Sequence, residues 1–217
     1  MTTLPSPLEL KVLYPRITFE KGYISVQDPA AGLIVALLNP MENETIIDAC
    51  AAPGGKTSYI AEKLSNTGKI IAFDIDSNRI DKLKKMINRL QFGNIDINKI
   101  DITKNKIPMA DKILLDVPCS GTGVMSKRAD IRWRRNIEDI LEMHLLQRRI
   151  LWSAAQSLRK GGIIVYSTCS MEIEENWMVI DAFLKSHPTF KVDNAKKYVP
   201  DKYVDTKGAI FTYPPNH

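Results

Sequence analysis

Cysteine and histidine are scarce in this sequence, with 3 of each among 217 residues. No CxxC pair or His-rich spacing occurs, which argues against a metal site. Three thiols cannot all pair, so reduced cysteines are expected in place of a disulfide framework. Long apolar runs are also missing: none approaches the roughly 20 residues of a membrane span, and no basic-then-apolar signal segment opens the chain. These absences predict a cytoplasmic protein, without membrane association, that we expect to be a monomer.

Aliphatic runs alternate with amphipathic segments along the chain. The predicted strands lie near 44–48, 69–74, 95–100, 111–116 and 162–168. The predicted helices lie near 55–65, 77–91, 136–159 and 172–186, with one more from the N-cap Asp28 through Leu38. Gly161-Gly162 is expected to end the third of these helices. This alternation is typical of an α/β fold, a mostly parallel sheet with helices on both faces, and we expect one domain over 24–217 after an irregular segment, 1–23.

The stretch from Asp48 to Thr57 predicts a strand, a tight turn and a helix start, where a glycine pair lets backbone amides approach a ligand. Two cofactor classes fit such a loop. A nucleoside triphosphate would use the terminal G-K-T of a P-loop, but Cys50 stands where that motif has its first glycine. S-adenosylmethionine would need an acid for its ribose, and Asp74 lies 19 residues past Gly55, close to the usual spacing. Asp74 could instead only cap the following helix.

Two cysteines follow aliphatic runs at predicted strand ends: Cys119, after Asp116 and Pro118, and Cys169. Carbon 5 of a pyrimidine accepts a methyl group only after a thiolate has added to carbon 6, and a carboxyl group such as Asp116 would support that addition. Two thiols and one acid beside a cofactor loop therefore favour cytosine-5 methylation. The residues alone leave the roles of the two thiols interchangeable. A helix start after Cys169 is expected to favour its thiolate, and nearby glutamates to oppose it.

The formal net charge of +5 is mild, but cations concentrate between 126 and 135. Five cations and a tryptophan form this basic segment. It could contact phosphates and stack on an unpaired base, or it could be only a solvated helix start. Its members are Lys127, Arg128, Arg132, Trp133, Arg134 and Arg135.

Three motifs together resemble the Sun (Fmu, Nop/Sun) family of RNA cytosine-5 methyltransferases: 48–57, 116–123, and 167–170 with 174–176. The resemblance runs from about Ile24 to the C-terminus. It implies a Rossmann-like methyltransferase fold, S-adenosylmethionine as cofactor, and tRNA or rRNA as substrate. It also implies that Cys169 is the nucleophile, that Asp116 binds the flipped cytosine, and that Cys119 assists product release. It further implies that Asp74 binds the ribose of the cofactor, that Asp101 binds its adenine, and that Arg79 supports the pocket. The residues implied to hold the cofactor are Cys50, Ala51, Ala52, Pro53, Gly54, Gly55, Lys56, Asp74, Arg79, Asp101 and Asp116.

The sequence departs from the family at both ends. Family members carry an RNA-binding segment before the equivalent of Ile24, and they continue into a further strand where this chain stops at 213–217. We therefore expect an excised or shortened catalytic domain, with the seventh strand missing. Two other functions stay open: an RNA-binding module that holds the cofactor without turnover, and a P-loop nucleotide hydrolase.

Overall fold

A computed structural model describes residues 17–65 and 67–212, and the elements follow one another as alternating helices and strands. The strands are β1 (Thr45–Asp48), β2 (Lys69–Asp74), β3 (Ile95–Lys99), β4 (Ala110–Asp116) and β5 (Leu158–Ser167). The helices are α1 (Pro29–Leu38), α2 (Gly55–Lys63), α3 (Ser77–Leu90), α4 (Ile131–Arg134), α5 (Ile137–Ala155) and α6 (Trp177–Ser186). Short 3₁₀ turns lie at Thr122–Val124, Ile173–Glu175, Ala195–Lys197 and Asp201–Tyr203.

The five strands form one parallel sheet in the order β3-β2-β1-β4-β5. The chain builds outward from β1 in one direction through β2 and β3, and then returns to the other side of β1 with β4. In such sheets, the crevice outside the carboxyl ends of the two strands at this reversal is the usual ligand site. Asp48 ends β1 and Asp116 ends β4, so both carboxyl groups lie at that crevice.

Successive residues of each central strand point to opposite sides of the sheet, and both sets are apolar here. Helices therefore cover both faces. Ile47 and Ile113 share one buried cluster with Leu151 of α5. Ile46 and Leu114 share another. The helix residues of that second cluster are Val35 and Leu38 of α1 and Ile60 of α2. The predicted parallel α/β architecture is confirmed.

Three expectations for the elements were wrong. The helix predicted over 136–159 ends at Ala155, and β5 already begins at Leu158. Gly161-Gly162 therefore lies inside β5, where a Cβ at Gly162 would stand 2.5 Å from the Asp111 carbonyl oxygen. The glycine thus allows close approach to β4 at an irregularity in the strand register. The helix predicted over 172–186 begins only at Trp177, after the 3₁₀ turn Ile173–Glu175.

The N-terminal segment contains some regular structure. Residues 17–20 form a helical turn, within the stretch expected to be irregular. Residues 1–16 of that stretch and the terminal residues 213–217 lie outside the described residues. Within residues 17–65 and 67–212, no helix combines the length and apolar character needed to cross a membrane.

Candidate active site

A cavity of about 220 Å³ opens at the carboxyl ends of β1 and β4. The loop from β1 to α2 forms its floor, and the segment leading into α1 closes one side. The residues that line the cavity are Val26, Gln27, Asp28, Ala31, Asp48, Cys50, Ala51, Ala52, Pro53, Gly54, Gly55, Lys56 and Asp116. All of the predicted residues from Cys50 to Lys56, and Asp116, are therefore brought together here.

Asp48 is a buried acceptor at this cavity, with 1% of its surface exposed. Its Oδ2 accepts a hydrogen bond from the Thr57 hydroxyl at 2.7 Å, while Oδ1 has no partner among the described residues. Burial raises the pKa of the Asp48 carboxyl to about 6, an effect that the Thr57 hydrogen bond opposes. A buried oxygen without a donor costs free energy, so a ligand that brings an N–H or O–H donor to this point is favoured.

Lys56 and Asp116 form an ion pair across the cavity, with Lys56 Nζ 2.6 Å from Asp116 Oδ2. The other oxygen, Asp116 Oδ1, accepts from the Ser167 hydroxyl at 2.9 Å. Asp116 is only partly buried, so its carboxyl group is held in a fixed orientation at the rim of the cavity and stays reachable. Three elements thus fix this acid: β4 carries it, α2 supplies Lys56, and β5 supplies Ser167.

The two acids predicted at β2 and β3 lie outside the lining of the cavity. Asp74 is 4% exposed, and its oxygens accept from the Ala52 and Asp76 amides at 3.2 and 3.0 Å. Arg79 Nη2 lies 3.4 Å from Asp74 and also donates to the Ala52 carbonyl, so this pair supports the loop that forms the floor. Asp101 accepts from the backbone and hydroxyl of Thr103. The roles of these residues toward ribose and adenine stay predictions.

The two predicted catalytic thiols are neighbours. Cys119 follows β4 and Cys169 follows β5, adjacent parallel strands, and their Sγ atoms are 3.0 Å apart. The Cys169 amide also points at Cys119 Sγ, at 3.3 Å. Cys119 lies in the loop after Asp116, and Cys169 lies in the loop after Ser167. Asp116 lines the cavity and accepts a hydrogen bond from Ser167, so the two thiols stand beside the cavity.

The two thiols have opposite acidities. A hydrogen bond from Cys119 lowers the pKa of the Cys169 thiol to about 7, against the raising effects of burial and Asp116. The same hydrogen bond raises the pKa of Cys119, whose proton it retains. The expected helix start after Cys169 does not contribute, because α6 begins only at Trp177. The neighbouring thiol therefore makes Cys169 the more nucleophilic of the two.

The basic segment lies beside the thiols and is largely exposed. Arg128, Arg132 and Arg134 are exposed, and Trp133 is 89% exposed. Two other cations of the segment contact the site. Lys127 forms an ion pair with Asp28 of the cavity rim, and Arg135 Nε donates to the Ser120 carbonyl at 3.1 Å. The segment is thus connected to both the cavity and the loop of Cys119.

Sequence reasoning missed two groups of residues at the site. The first is the segment Val26, Gln27, Asp28 and Ala31, which lines the cavity. Asp28 was predicted only as the N-cap of α1, and it does cap that helix through the Ala30 amide at 2.9 Å. The second is the buried pair Gln147 and Glu175, hydrogen-bonded at 2.9 Å beneath the thiol loops. Glu175 belongs to the motif 174–176 that carries the family resemblance, which assigned it no role. No local sequence signal indicates a site role for the other residues.

Comparison with known proteins gives a consistent family. The family model described as 16S rRNA methyltransferase RsmB/F matches residues 35–217. A probable ribosomal RNA small subunit methyltransferase B of Bacillus subtilis (strain 168) is 36% identical over 189 residues, 85% of this chain and 42% of that protein. A ribosomal RNA small subunit methyltransferase B of Yersinia pseudotuberculosis serotype O:1b (strain IP 31758) is 41% identical over 177 residues, 78% of this chain and 40% of that protein. The chain thus spans less than half the length of these two relatives.

A solved structure shares the fold. The structure of NSun6 from Pyrococcus horikoshii with SFG matches with a TM-score of 0.76 and 39% identity, covering 88% of this chain and 47% of that chain. The predicted Rossmann-like methyltransferase fold is confirmed by this likeness.

Proposed function

We propose, from the premise that the chain belongs to the 16S rRNA methyltransferase RsmB/F family, that it transfers a methyl group from S-adenosylmethionine to carbon 5 of a cytosine in RNA. The family membership agrees with the resemblance to the Sun family drawn from the sequence. The observation that carries the cytosine-5 chemistry is the pair of Sγ atoms 3.0 Å apart beside the cavity. Methylation of a nitrogen or oxygen, which is already nucleophilic, requires no thiol.

The cavity suits S-adenosylmethionine, which supplies an electrophilic methyl group when bound. Its floor presents the backbone of residues 50–56, and a Cβ placed at Gly55 would meet no atom within 4 Å. The unpaired Asp48 Oδ1 can accept from an ammonium or hydroxyl group of the ligand. The NSun6 structure was solved with SFG, an analogue of this cofactor. Asp74, Arg79 and Asp101 would extend the site toward the nucleoside.

Cys169 is the residue proposed to attack carbon 6 of the cytosine. Its pKa of about 7 leaves a large thiolate fraction at neutral pH. Asp116, held by Lys56 and Ser167, is proposed to accept from the amino group of the ring and from N3 once that nitrogen is protonated, which supports the addition. The addition forms a bond from Cys169 Sγ to carbon 6 and breaks the double bond between carbons 5 and 6. The electron pair shifts toward the protonated N3, and the resulting enamine makes carbon 5 nucleophilic toward the methyl group.

Cys119 is proposed to assist release. After methyl transfer, a general base takes the proton from carbon 5. The electron pair of that C–H bond restores the double bond between carbons 5 and 6, and Cys169 Sγ leaves carbon 6 as a thiolate. The Cys119 thiol lies 3.0 Å away, where its S–H can donate to that thiolate. Removing Cys119 should therefore slow release more than attack.

RNA is the proposed partner, because the exposed basic segment adjoins the thiols and the matching relatives are ribosomal RNA methyltransferases by name. Arg128, Arg132 and Arg134 would contact phosphates, and Trp133 would stack on a base next to the target. The small-subunit rRNA is the first substrate to test, and tRNA the second.

A labelled-methyl transfer assay on unmodified 16S rRNA, with bisulfite sequencing of the product, tests the proposal. Cys169→Ala should abolish transfer, whereas Cys119→Ala should accumulate a covalent complex between protein and RNA. Full turnover by Cys169→Ala would refute the mechanism. Cofactor binding by calorimetry without transfer to any RNA would instead support an RNA-binding module that holds the cofactor without turnover. Magnesium-dependent ATP binding would support the P-loop hydrolase.

A further inference from the structure

We propose that Glu175 is a positioning residue, which holds the loop of Cys119 against the loop of Cys169 and so sets the contact between the two thiols. The inference rests on the proposed function for the meaning of that contact, but it concerns a residue outside the cavity. Glu175 is 0% exposed and is not among the residues that line the cavity.

Both carboxyl oxygens of Glu175 bond to the loop of Cys119. Its Oε1 accepts from the Ser120 amide at 2.8 Å, and its Oε2 accepts from the Ser120 hydroxyl. Ser120 directly follows Cys119, so one carboxyl group fixes both the backbone and the side chain next to the thiol.

Gln147 of α5 extends this link to the other side of the thiol. Its Nε2 donates to Glu175 Oε1 and to the Pro118 carbonyl, both at 2.9 Å. The residues before and after Cys119 are therefore both held by groups that meet at Glu175. Arg135 adds a bond to the Ser120 carbonyl from the basic segment.

Glu175 is also attached to the loop of Cys169. Glu175 lies in the 3₁₀ turn Ile173–Glu175, a few residues after Cys169, and its carbonyl accepts from the Tyr166 hydroxyl of β5 at 2.7 Å. Ser170, which follows Cys169, meets Ser120 with their Oγ atoms 3.1 Å apart. The loops therefore join through buried polar groups on the protein side, and the two sulfur atoms meet on the solvent side.

The choice of residue supports a positioning role. Burying a carboxyl group away from water costs free energy unless donors satisfy it, and an apolar side chain would fill the same space at no such cost. Three donor contacts compensate the Glu175 carboxyl group, two from Ser120 and one from Gln147, which also holds Pro118. A residue needed only for packing would not require this set.

The test measures how closely the two thiols are held, without RNA or cofactor. The protein is equilibrated with reduced and oxidised glutathione. Cys119 and Cys169 together lose two electrons and two protons to form a disulfide, and one molecule of glutathione disulfide takes them up to become two glutathione thiols. Peptide mass spectrometry then quantifies the fraction of protein with the Cys119–Cys169 bridge. Glu175→Leu removes both acceptors, Glu175→Gln keeps one, Ser120→Ala removes one donor, and Glu174→Gln makes the same charge change as Glu175→Gln on the neighbouring residue.

Glu175→Leu is expected to lower the equilibrium constant for the bridge about tenfold, the effect of losing roughly one buried hydrogen-bonded contact. Ser120→Ala should lower it less, Glu175→Gln should restore most of it, and Glu174→Gln should leave it unchanged. Thermal unfolding under reducing conditions is recorded for each variant. If Glu175→Leu does not fold, Ser120→Ala decides. The proposal is overturned if a folded variant with lower stability forms the bridge as favourably as the unmodified protein does. Glu175 would then have a purely structural role.

A second readout connects the result to turnover. If the proposed function holds, Glu175→Leu should accumulate the covalent RNA complex as Cys119→Ala does, because release requires the displaced thiol. Loss of thiol proximity with no covalent complex in any variant would refute the proposed function and keep the positioning role. An unchanged bridge together with normal release would refute the positioning role alone.

Discussion

At the scale of single residues, the three cysteines show how surroundings decide thiol chemistry. Cys50 sits at the floor of the cavity, where burial raises its pKa and the Asp48 carboxyl adds to the effect. Cys119 retains its proton in the hydrogen bond to Cys169, which raises its pKa. Cys169 is the exposed member and the one whose pKa falls. The side chains are chemically identical, so position alone gives one thiol with a lowered pKa and two with raised pKa values.

The first prediction concerns this difference. Iodoacetamide should alkylate Cys169 with a rate that rises with pH through a midpoint of about 7, because only the thiolate reacts. Cys119→Ala removes the donor that stabilises the thiolate, so the midpoint should move up toward the ordinary value of about 8.5. Peptide mass spectrometry of the modified residue measures the rate at each pH.

Cys50 is the internal control for this measurement, since its raised pKa should leave it unmodified across the same range. A midpoint for Cys169 that stays near 7 in Cys119→Ala would show that some other group sets its acidity. Alkylation of Cys50 at the rate of Cys169 would contradict its raised pKa.

The residues next to strand ends were predictable from the sequence, but their partners were not. Asp116 ends one aliphatic strand, the two thiols follow within three residues of strand ends, and parallel strands bring such ends to one edge. The Sγ contact depends on the loops after β4 and β5, whose paths local patterns do not encode. Gln147 and Glu175 come from an amphipathic helix and a short turn, where a polar residue ordinarily faces water. Their burial follows from tertiary packing alone.

At the scale of elements, the start of α2 depends on a glycine pair with two separate functions. Gly54 has a φ of 111°, and a Cβ there would stand 2.5 Å from Leu83 Cδ1 of α3. Gly55 opens the helix itself and lines the cavity, and a Cβ added to it would have no atom within 4 Å. The first glycine is required by the backbone and by packing, whereas the second leaves open space at the cavity, where the ligand is proposed to bind.

The second prediction follows from this contrast. Gly54→Ala should destabilise the protein by about 1–3 kcal/mol, because an L side chain is strained in this backbone region. Gly55→Ala should stabilise it by up to about 1 kcal/mol, through reduced entropy of the unfolded chain. Urea denaturation without ligand measures both. Calorimetry with S-adenosylmethionine should then show weaker binding for Gly55→Ala despite its stability.

Equal stability of the two variants would contradict the assigned backbone strain at Gly54. Unchanged cofactor affinity in Gly55→Ala would contradict the placement of the ligand against this glycine. The two measurements are independent, so each role of the pair is tested separately.

Element types were easier to predict than element ends. The aliphatic strands and the N-cap of α1 were found because composition and capping chemistry are local. The end of α5 was misplaced because Gly161-Gly162 resembles a helix stop, whereas Gly162 serves the approach of β5 to β4. The start of α6 was placed too early because a long-range contact is also invisible in the local sequence. Glu175 lies in the 3₁₀ turn before Trp177 and is engaged in the buried contact with Ser120.

At the scale of the whole molecule, the charge distribution matters more than the net charge of +5. Lys127 and Arg135 are engaged by Asp28 and Ser120 of the site, whereas Arg134 pairs with Asp130 inside the basic segment itself, and Arg128 and Arg132 are exposed. Three lysines on α3 are also exposed but lie over the other part of the sheet. If RNA binds at the thiols, these arginines should contribute to affinity and the lysines should not. The two sets are Arg128, Arg132 and Arg134, and Lys82, Lys84 and Lys85.

The third prediction uses these two sets as matched variants. Replacing the three arginines with glutamine should weaken binding to a fluorescein-labelled single-stranded RNA and reduce the slope of log K against log salt by about 2, since each lost phosphate contact removes about 0.7. Replacing the three lysines with glutamine removes the same charge and should leave the slope unchanged. Fluorescence anisotropy across a series of salt concentrations gives both slopes. Equal reductions in the two variants would mean that RNA responds to overall charge alone, and the basic segment would then lose its assignment as the RNA contact. A reduced slope confined to the arginine variant would place the phosphates next to Cys169, where the proposed chemistry requires them.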